Sequence, residues 1–255
     1  MGDETRAVIF GRDADAYENA RPSYPVAAID HVLGLVETTE GVEVGAGTGK
    51  ATELVARAGL GLTCLEPSPQ MAELLRSKSL PGVEVVVTRF EDWGGPQSVV
   101  DLVYAAQAWH WVDKVVGPGK ALSVLRPGGG LALMWNIPLD RYGGHEEIYS
   151  RLAPQLLNER DERIKRRDEH DWSIDMDEAG FVDTARFTHR WSEMLSSGAI
   201  RTLYSTYSDH MMLEEPTRSR LLDELFDAVE RRGGAIEVEY RTEVFTGLKP
   251  GTERR

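Results

Sequence analysis

Apolar positions along this chain follow two alternating rhythms. Short apolar runs, at Val42-Glu43-Val44, Gly61 to Leu65, Val83 to Val87, Val99 to Ala106 and Leu131 to Asn136, read as strands. Between them apolar residues recur at helical spacing. Pro25 opens a helix to about Glu37 with Ile29, Val32, Leu33 and Val36 inward. Ala51 to Ala58 places Leu54, Val55 and Ala58 on one face, and Pro67 to Lys78 does the same with Met71, Leu74 and Leu75. Lys114 to Leu125 is a further helix, and Arg126 to Gly130 reads as a tight turn. Strands alternating with helices predict an α/β fold with a parallel doubly wound sheet. The run from Val99 to Ala106 is almost continuously apolar, as a strand covered on both faces should be.

After Asn136 the rhythm changes. Residues 140–171 read as helical and polar, with acid-then-base pairs at i,i+4 in Glu159/Arg163, Asp161/Lys165 and Glu162/Arg166. A short helix ends near Met176 to Phe181, and Val182 to Trp191 reads as a strand. Helices follow at 196–208 and 214–232. Ile236 to Phe245 alternates apolar and polar, which predicts a last strand with one wetter face. No repeat or linker divides the chain, so a single domain over 1–255 is expected.

The most informative stretch is Val42 to Lys50, with glycines at 45, 47 and 49. Three glycines so close together fit a turn that needs positive φ or the close approach of a ligand. Helix-opening amides then point at a ligand's negative end. The spacing is neither the G-x-G-x-x-G of dinucleotide sites nor a Walker loop, and packing alone also places glycines in such turns. Glu66 follows about 20 residues after the turn, at the end of the second strand, where a carboxylate meets a ribose diol. Strand, turn, helix, strand and carboxylate together form one nucleoside-binding unit. Arg89-Phe90-Glu91-Asp92-Trp93 supplies an acidic turn with an aromatic wall for an adenine. Gln107-Ala108-Trp109-His110-Trp111 and Trp135-Asn136 end central strands at the edge where open parallel sheets hold their ligands.

Composition narrows the partners. A net charge of −13 argues against nonspecific binding to nucleic acid or anionic membrane. The one cysteine, Cys64, sits in an apolar strand and reads as a small core residue. Histidines show no metal-ligand spacing, so no metal is expected. The opening Met-Gly-Asp-Glu-Thr lacks a basic region followed by an apolar stretch, and no run is long enough to span a bilayer. A cytoplasmic protein is the expectation.

Val42 to Gly49, Leu65-Glu66-Pro67-Ser68, Ala106 to Asp113 and Leu125 to Gly129 resemble the class I S-adenosylmethionine-dependent methyltransferases. More narrowly, they are similar to the type 11 small-molecule group that includes trans-aconitate methyltransferase-like proteins. Tyr17, Arg21-Pro22, Tyr24-Pro25 and Arg201-Thr202-Leu203 are also similar to that group. The resemblance implies a Rossmann-like seven-stranded sheet, mostly parallel, with an antiparallel last strand inserted beside strand five. Helices cover both faces, and a helical cap comes from about 1–30, 137–170 and 196–232.

The same resemblance implies S-adenosyl-L-methionine as cofactor, held by Tyr17, Arg21, Glu43, Gly45, Ala46, Gly47, Thr48, Gly49, Glu66, Pro67, Met71, Phe90, Glu91, Asp92 and Gln107. Glu43 stands where the family commonly has aspartate, two residues before the first glycine. Tyr24, Trp109, Trp135 and Asn136 are candidate substrate contacts, with Trp109 foremost for the pocket and Trp111 a further aromatic candidate.

Methyl transfer is an in-line displacement, so positioning is the main task. Aromatic faces favour the sulfonium by cation–π attraction. His110 is the candidate base for a hydroxyl or amine acceptor, or else a structural or adenine contact. A carboxylate acceptor needs no base but does need an orienting donor, for which Arg21, Arg141 and Tyr17 are candidates. The expected function is methyl transfer to oxygen or nitrogen of a small-molecule metabolite. Cofactor binding without transfer, a nicotinamide oxidoreductase and an RNA or protein methyltransferase are the competing readings.

Overall fold

A computed structural model describes residues 14–140, 145–158 and 168–251. Arg141, Tyr142, the first 13 residues and the ion-pair ladder around Glu159 to Arg166 lie outside the described residues. The strands are β1 (Glu40–Val44), β2 (Gly61–Leu65), β3 (Val83–Val86), β4 (Val100–Ala106), β5 (Leu125–Pro138), β6 (Val182–Ser196) and β7 (Ala235–Leu248). They pair in the order β3-β2-β1-β4-β5-β7-β6. The first five run parallel, and β7 is antiparallel to both β5 and β6. This is the seven-stranded Rossmann-like sheet, with the reversed last strand inserted beside strand five.

Alternation along β5 divides the core. Leu131, Leu133 and Trp135 join one apolar cluster with α5 (Val116–Val124) and α8 (Trp172–Ala179). Ala132 and Met134 join the other, with α2 (Val26–Leu33), α3 (Lys50–Ala56) and α4 (Pro69–Ser77). The inward face of α3 is Ala51, Thr52 and Val55; Ala58, expected inward, lies past the helix end and is exposed. On the β6 side, α6 (Glu146–Leu152), α9 (Ser197–Ser205) and α11 (Glu215–Arg231) bury a third cluster around Tyr149, Ile200, Leu203 and Leu225.

The turn expected at Arg126 to Gly130 lies inside β5 instead. The β4–β5 register passes from Val100↔Leu125 to Leu102↔Gly130, so these residues bulge out of a continuing strand. Gly128, with φ +74°, accommodates the bend, and Lys249 brackets it through bonds to the Gly128 and Gly129 backbone. Asp101 pins the opposite ends of the strands. One of its oxygens accepts from the Thr39 and Glu40 amides at 2.8 and 3.0 Å and the other from Arg126 Nε at 2.5 Å. Burial alone would raise the Asp101 carboxyl, but these donors hold it well below the usual range. No described helix is long and apolar enough to cross a membrane.

Trp135 stacks on Trp172 with centroids 4.8 Å apart, and both are fully buried. Trp172→Ala should therefore cost about 3–5 kcal/mol of unfolding free energy, by lost transfer and an unfilled void. Urea denaturation checks this, and a loss under about 1 kcal/mol would remove the stack from the core.

Candidate functional site

A cavity of about 550 Å³ opens at the carboxyl ends of the parallel strands. Its floor is the glycine turn between β1 and α3. Gly45, Gly47 and Gly49 all have positive φ, and they are glycines for different reasons. A Cβ on Gly45 would stand 2.5 Å from that of Ala108, and one on Gly49 would stand 2.3 Å from Leu75. A Cβ on Gly47 would meet no protein atom within 4 Å. Gly45 and Gly49 thus permit close packing, whereas Gly47 borders open space. Gly49, expected among the ligand contacts, is off the cavity wall and begins α3 against Leu75.

Glu66 joins this floor to the next loop. Gly47 N donates to its Oε2 at 2.8 Å and Ser68 N to its Oε1 at 2.8 Å. Burial pushes its carboxyl up to about 7, against the pull of both amides. Glu43 also lines the cavity, yet its Oε2 turns to the core. It accepts from Thr52 Oγ1 at 2.5 Å and Tyr104 OH at 2.8 Å, with Cys64 Sγ 3.7 Å away. These core donors hold Oε2, while the residue itself stays on the cavity wall. Burial pushes Glu43 up to about 7 as well, with the nearby Glu66 charge adding to the rise.

Ala46, Thr48, Pro67, Met71, Phe90, Glu91 and Asp92 complete one end of the cavity. Glu91 is fixed by the Asp113 amide at 2.8 Å and Arg89 at 3.1 Å. Asp92 keeps a mostly exposed carboxylate beside Arg89. Thr48 Oγ1 is buried beside the Glu18 carboxylate, which it helps hold below the usual range.

The edge after β4 separates three tryptophans. Gln107 takes φ +59°, donates its backbone N–H to Met134 O at 2.8 Å, and turns the chain. The following 3₁₀ turn (Trp109–Trp111) then sends alternate rings to opposite sides. Trp111 and His110 line the cavity; Trp109 does not. Trp109 is 3% exposed and packs on Phe90 at 5.7 Å in the core. Trp135, the other expected substrate wall, is buried behind His110 and donates Nε1–H to His110 Nδ1 at 3.3 Å. An accepting Nδ1 places the neutral ring's proton on Nε2. Both expected tryptophan contacts are thereby corrected to core packing.

The other end of the cavity is built from distant segments. Tyr17 lies on α1 (Ala14–Ala20), and Arg21, Pro22 and Tyr24 follow it. Asn136 is on the wall, but its amide is engaged: Nδ2 donates to Ser23 O at 2.9 Å and Oδ1 accepts from Thr242 at 2.7 Å. It anchors the N-terminal arm to the sheet. Gln107 Nε2 likewise donates to Asn136 O at 2.7 Å. Leu203, from the Arg201–Leu203 stretch that carries the resemblance, lines this end together with Tyr207, Ser208, Asp209 and Tyr240. Arg21 donates to Thr206 O at 2.8 Å and lies over the Tyr207 ring at 4.7 Å. Among the described residues no group of three His, Cys, Asp or Glu stands close enough to hold a metal ion.

Comparison with known proteins agrees with this geometry. Residues 42–133 match the methyltransferase-domain family, a segment that runs from the glycine turn to β5. An uncharacterized methyltransferase of Mycobacterium tuberculosis is 40% identical over 139 residues, 54% of this chain and 56% of that one. The chain thus spans about half the length of the curated relatives it matches at that identity. An uncharacterized methyltransferase-like protein of Schizosaccharomyces pombe is 26% identical over 98% of both chains. The fold is shared with a candidate type II methyltransferase from Anaeromyxobacter dehalogenans, at a TM-score of 0.65 and 21% identity over 91% of this chain and 99% of that one.

The two buried carboxylates also make stability depend on pH. Glu43 and Glu66 titrate near 7 when folded and near 4.5 in the ordinary case. The folded state therefore binds more protons between those values, and stability falls as pH rises through the window. Glu43→Gln removes one such group. Its unfolding free energy relative to wild type should rise between about pH 5 and pH 8. Denaturant titrations at both values check this; an unchanged difference would place the Glu43 titration outside the window.

Proposed function

We propose that the chain is an S-adenosylmethionine-dependent methyltransferase acting by in-line displacement on oxygen or nitrogen of a small-molecule acceptor. The observation that carries this reading is the crest itself: a glycine turn that leaves open space at Gly47, tied by its amide to Glu66, inside a segment that matches a methyltransferase domain. In this reading Gly45, Ala46, Gly47 and Thr48 hold the methionine portion and Glu66 takes the ribose hydroxyls. Pro67, Met71, Phe90 and Glu91 enclose the adenine. The cofactor, when bound, supplies a methyl group on a sulfonium sulfur. Trp111, on the wall beside His110, offers an aromatic face to that cation.

The chain's own residues position the acceptor. Tyr17, Arg21 and Tyr24 from the N-terminal arm, with Leu203 to Asp209, act as a cap within a single domain and select the substrate. His110 donates from Nε2 rather than accepting a proton, because Trp135 occupies Nδ1. That geometry favours a second reading, in which the acceptor needs no base, as a carboxylate does. Binding without transfer is separated from both by labelled methyl transfer to a metabolite pool.

Gly47→Val should abolish S-adenosylmethionine binding measured by calorimetry, by filling the open space beside the turn. Glu66→Gln should weaken it about tenfold or more, through loss of charged hydrogen bonds. Wild-type affinity in Gly47→Val would remove the cofactor from this crest.

A further inference from the structure

Helix α1 closes one side of the cavity, yet the core does not anchor it. Tyr17 and Arg21, joined by the bond from Arg21 N–H to Tyr17 O at 3.0 Å, both stand on the cavity wall. No residue of α1 is buried, whereas α2, α3 and α4 each bury three. Ala20, half-buried, packs on the third apolar cluster. A helix of seven residues is marginal by itself, so its polar ties decide whether it stays in place.

The principal tie is Lys78, at the end of α4 and outside the cavity wall. Its Nζ donates to Glu18 Oε1 of α1 at 2.8 Å and also to Glu53 of α3. Glu18 in turn lies against Thr48 of the glycine turn, with Lys50 nearby. Burial alone would raise the Glu18 carboxyl, but Lys78, Thr48 and Lys50 hold it below the usual range. One lysine thus neutralises two acids that belong to different helices. Without it, Glu18 and Glu53 would repel across the gap between α1 and α3. The Lys78 side chain is 16% exposed and that of Glu18 25%, so solvent and salt reach the pair.

At its other end α1 runs into Arg21, whose bond to Thr206 O reaches the turn after α9. The next anchor is the bond from Asn136 to Ser23 O. The helix is therefore a strap from the glycine crest to the cap, pinned to the sheet just beyond its end. Release of Lys78 frees the side that covers the crest.

We propose that Lys78 is a latch that holds α1 closed over the bound nucleoside, and that cofactor and product exchange by breaking its bond to Glu18. The identity of that ligand rests on the methyltransferase reading; the latch itself does not. Lys78 is a positioning residue, since it acts through α1 on Tyr17 and Arg21.

Surface plasmon resonance of S-adenosylhomocysteine over the immobilised protein reads the release rate. This ligand has no net charge at neutral pH, so a salt effect on release reports the protein's own ion pairs. Raising potassium chloride from about 0.1 to about 1 M shortens the screening length from about 10 to about 3 Å and should speed release from wild type about threefold. Glu18→Gln should speed release at low salt about threefold, the worth of one partly exposed pair. Lys78→Met should speed it about tenfold, because it leaves the two acids facing each other. Adding Glu18→Gln to Lys78→Met should slow release again and flatten the salt dependence. Lys78→Arg should keep the wild-type rate, as should Arg57→Met, which removes an exposed cation beyond the end of α3. The latch is overturned if Glu18→Gln and Lys78→Met release at the wild-type rate, or if the double variant releases faster than Lys78→Met. Hydrogen exchange of the α1 amides, without ligand, should quicken about tenfold in Lys78→Met. Failure of wild type to bind S-adenosylhomocysteine would defeat the methyltransferase reading alone; unchanged exchange of α1 in Lys78→Met would defeat the latch.

Discussion

The shape of the crest depends on one buried carboxylate. Glu66 accepts one amide from the glycine turn and one from the cap of α4, so its side chain clamps two loops that lie apart in sequence. The turn can approach that closely only because Gly45 has no Cβ to strike Ala108. Three loops, after β1, β2 and β4, are thereby fixed against one another, and the space that remains lies over Gly47. Burying this acid is unfavourable, as its rise to about 7 records. A second acid, Glu43, sits one strand away, and the charge of Glu66 raises it further. The fold tolerates it because Thr52 and Tyr104 give Glu43 two close donors, so it is a structural acid of the core as much as a lining residue.

The aromatic edge follows the same logic of backbone before side chain. Gln107 in a left-handed conformation ends β4, and the 3₁₀ turn after it sets which ring faces the core. Trp109 falls inward on Phe90 and Trp111 outward. Trp135 reaches the site only through His110, whose tautomer it sets. A residue buried behind the wall thus decides whether the wall presents a donor or an acceptor.

Much of this was legible in the chain because it is local. The strand–turn–helix–strand unit from Val42 to Glu66 is continuous in sequence, and its periodicity named the strands, the turn and the carboxylate. The β4 run announced itself by apolar continuity. Trp109 and Trp111 were not separable, since two identical side chains around a histidine differ only through a backbone torsion at Gln107. Asn136 stood at the right edge, but its partners Ser23 and Thr242 lie more than 100 residues away on either side. Tyr240 was invisible for the same reason. It sits in an alternating strand like any half-wet one, and it reaches the site only because β7 runs backwards between β5 and β6. The bulge at Arg126 to Gly129 was read correctly as a bend and wrongly as a strand boundary, because glycines mark both.

The two ends of the cavity consequently answer to different constraints. The crest end is assembled from neighbouring loops, in which the Glu66 carboxylate binds the Gly47 and Ser68 amides, so substitutions there disturb the crest. The far end is assembled from the N-terminal arm, the end of β5, the turn after α9 and β7, and its closures run from side chains to backbone carbonyls: Arg21 to Thr206 O and Asn136 to Ser23 O. A carbonyl is present whatever the side chain. The tethers survive changes at Thr206 and Ser23, whereas Arg21 and Tyr240 supply atoms that no backbone replaces. The lining of one end of the cavity can therefore change while the crest at the other keeps its form.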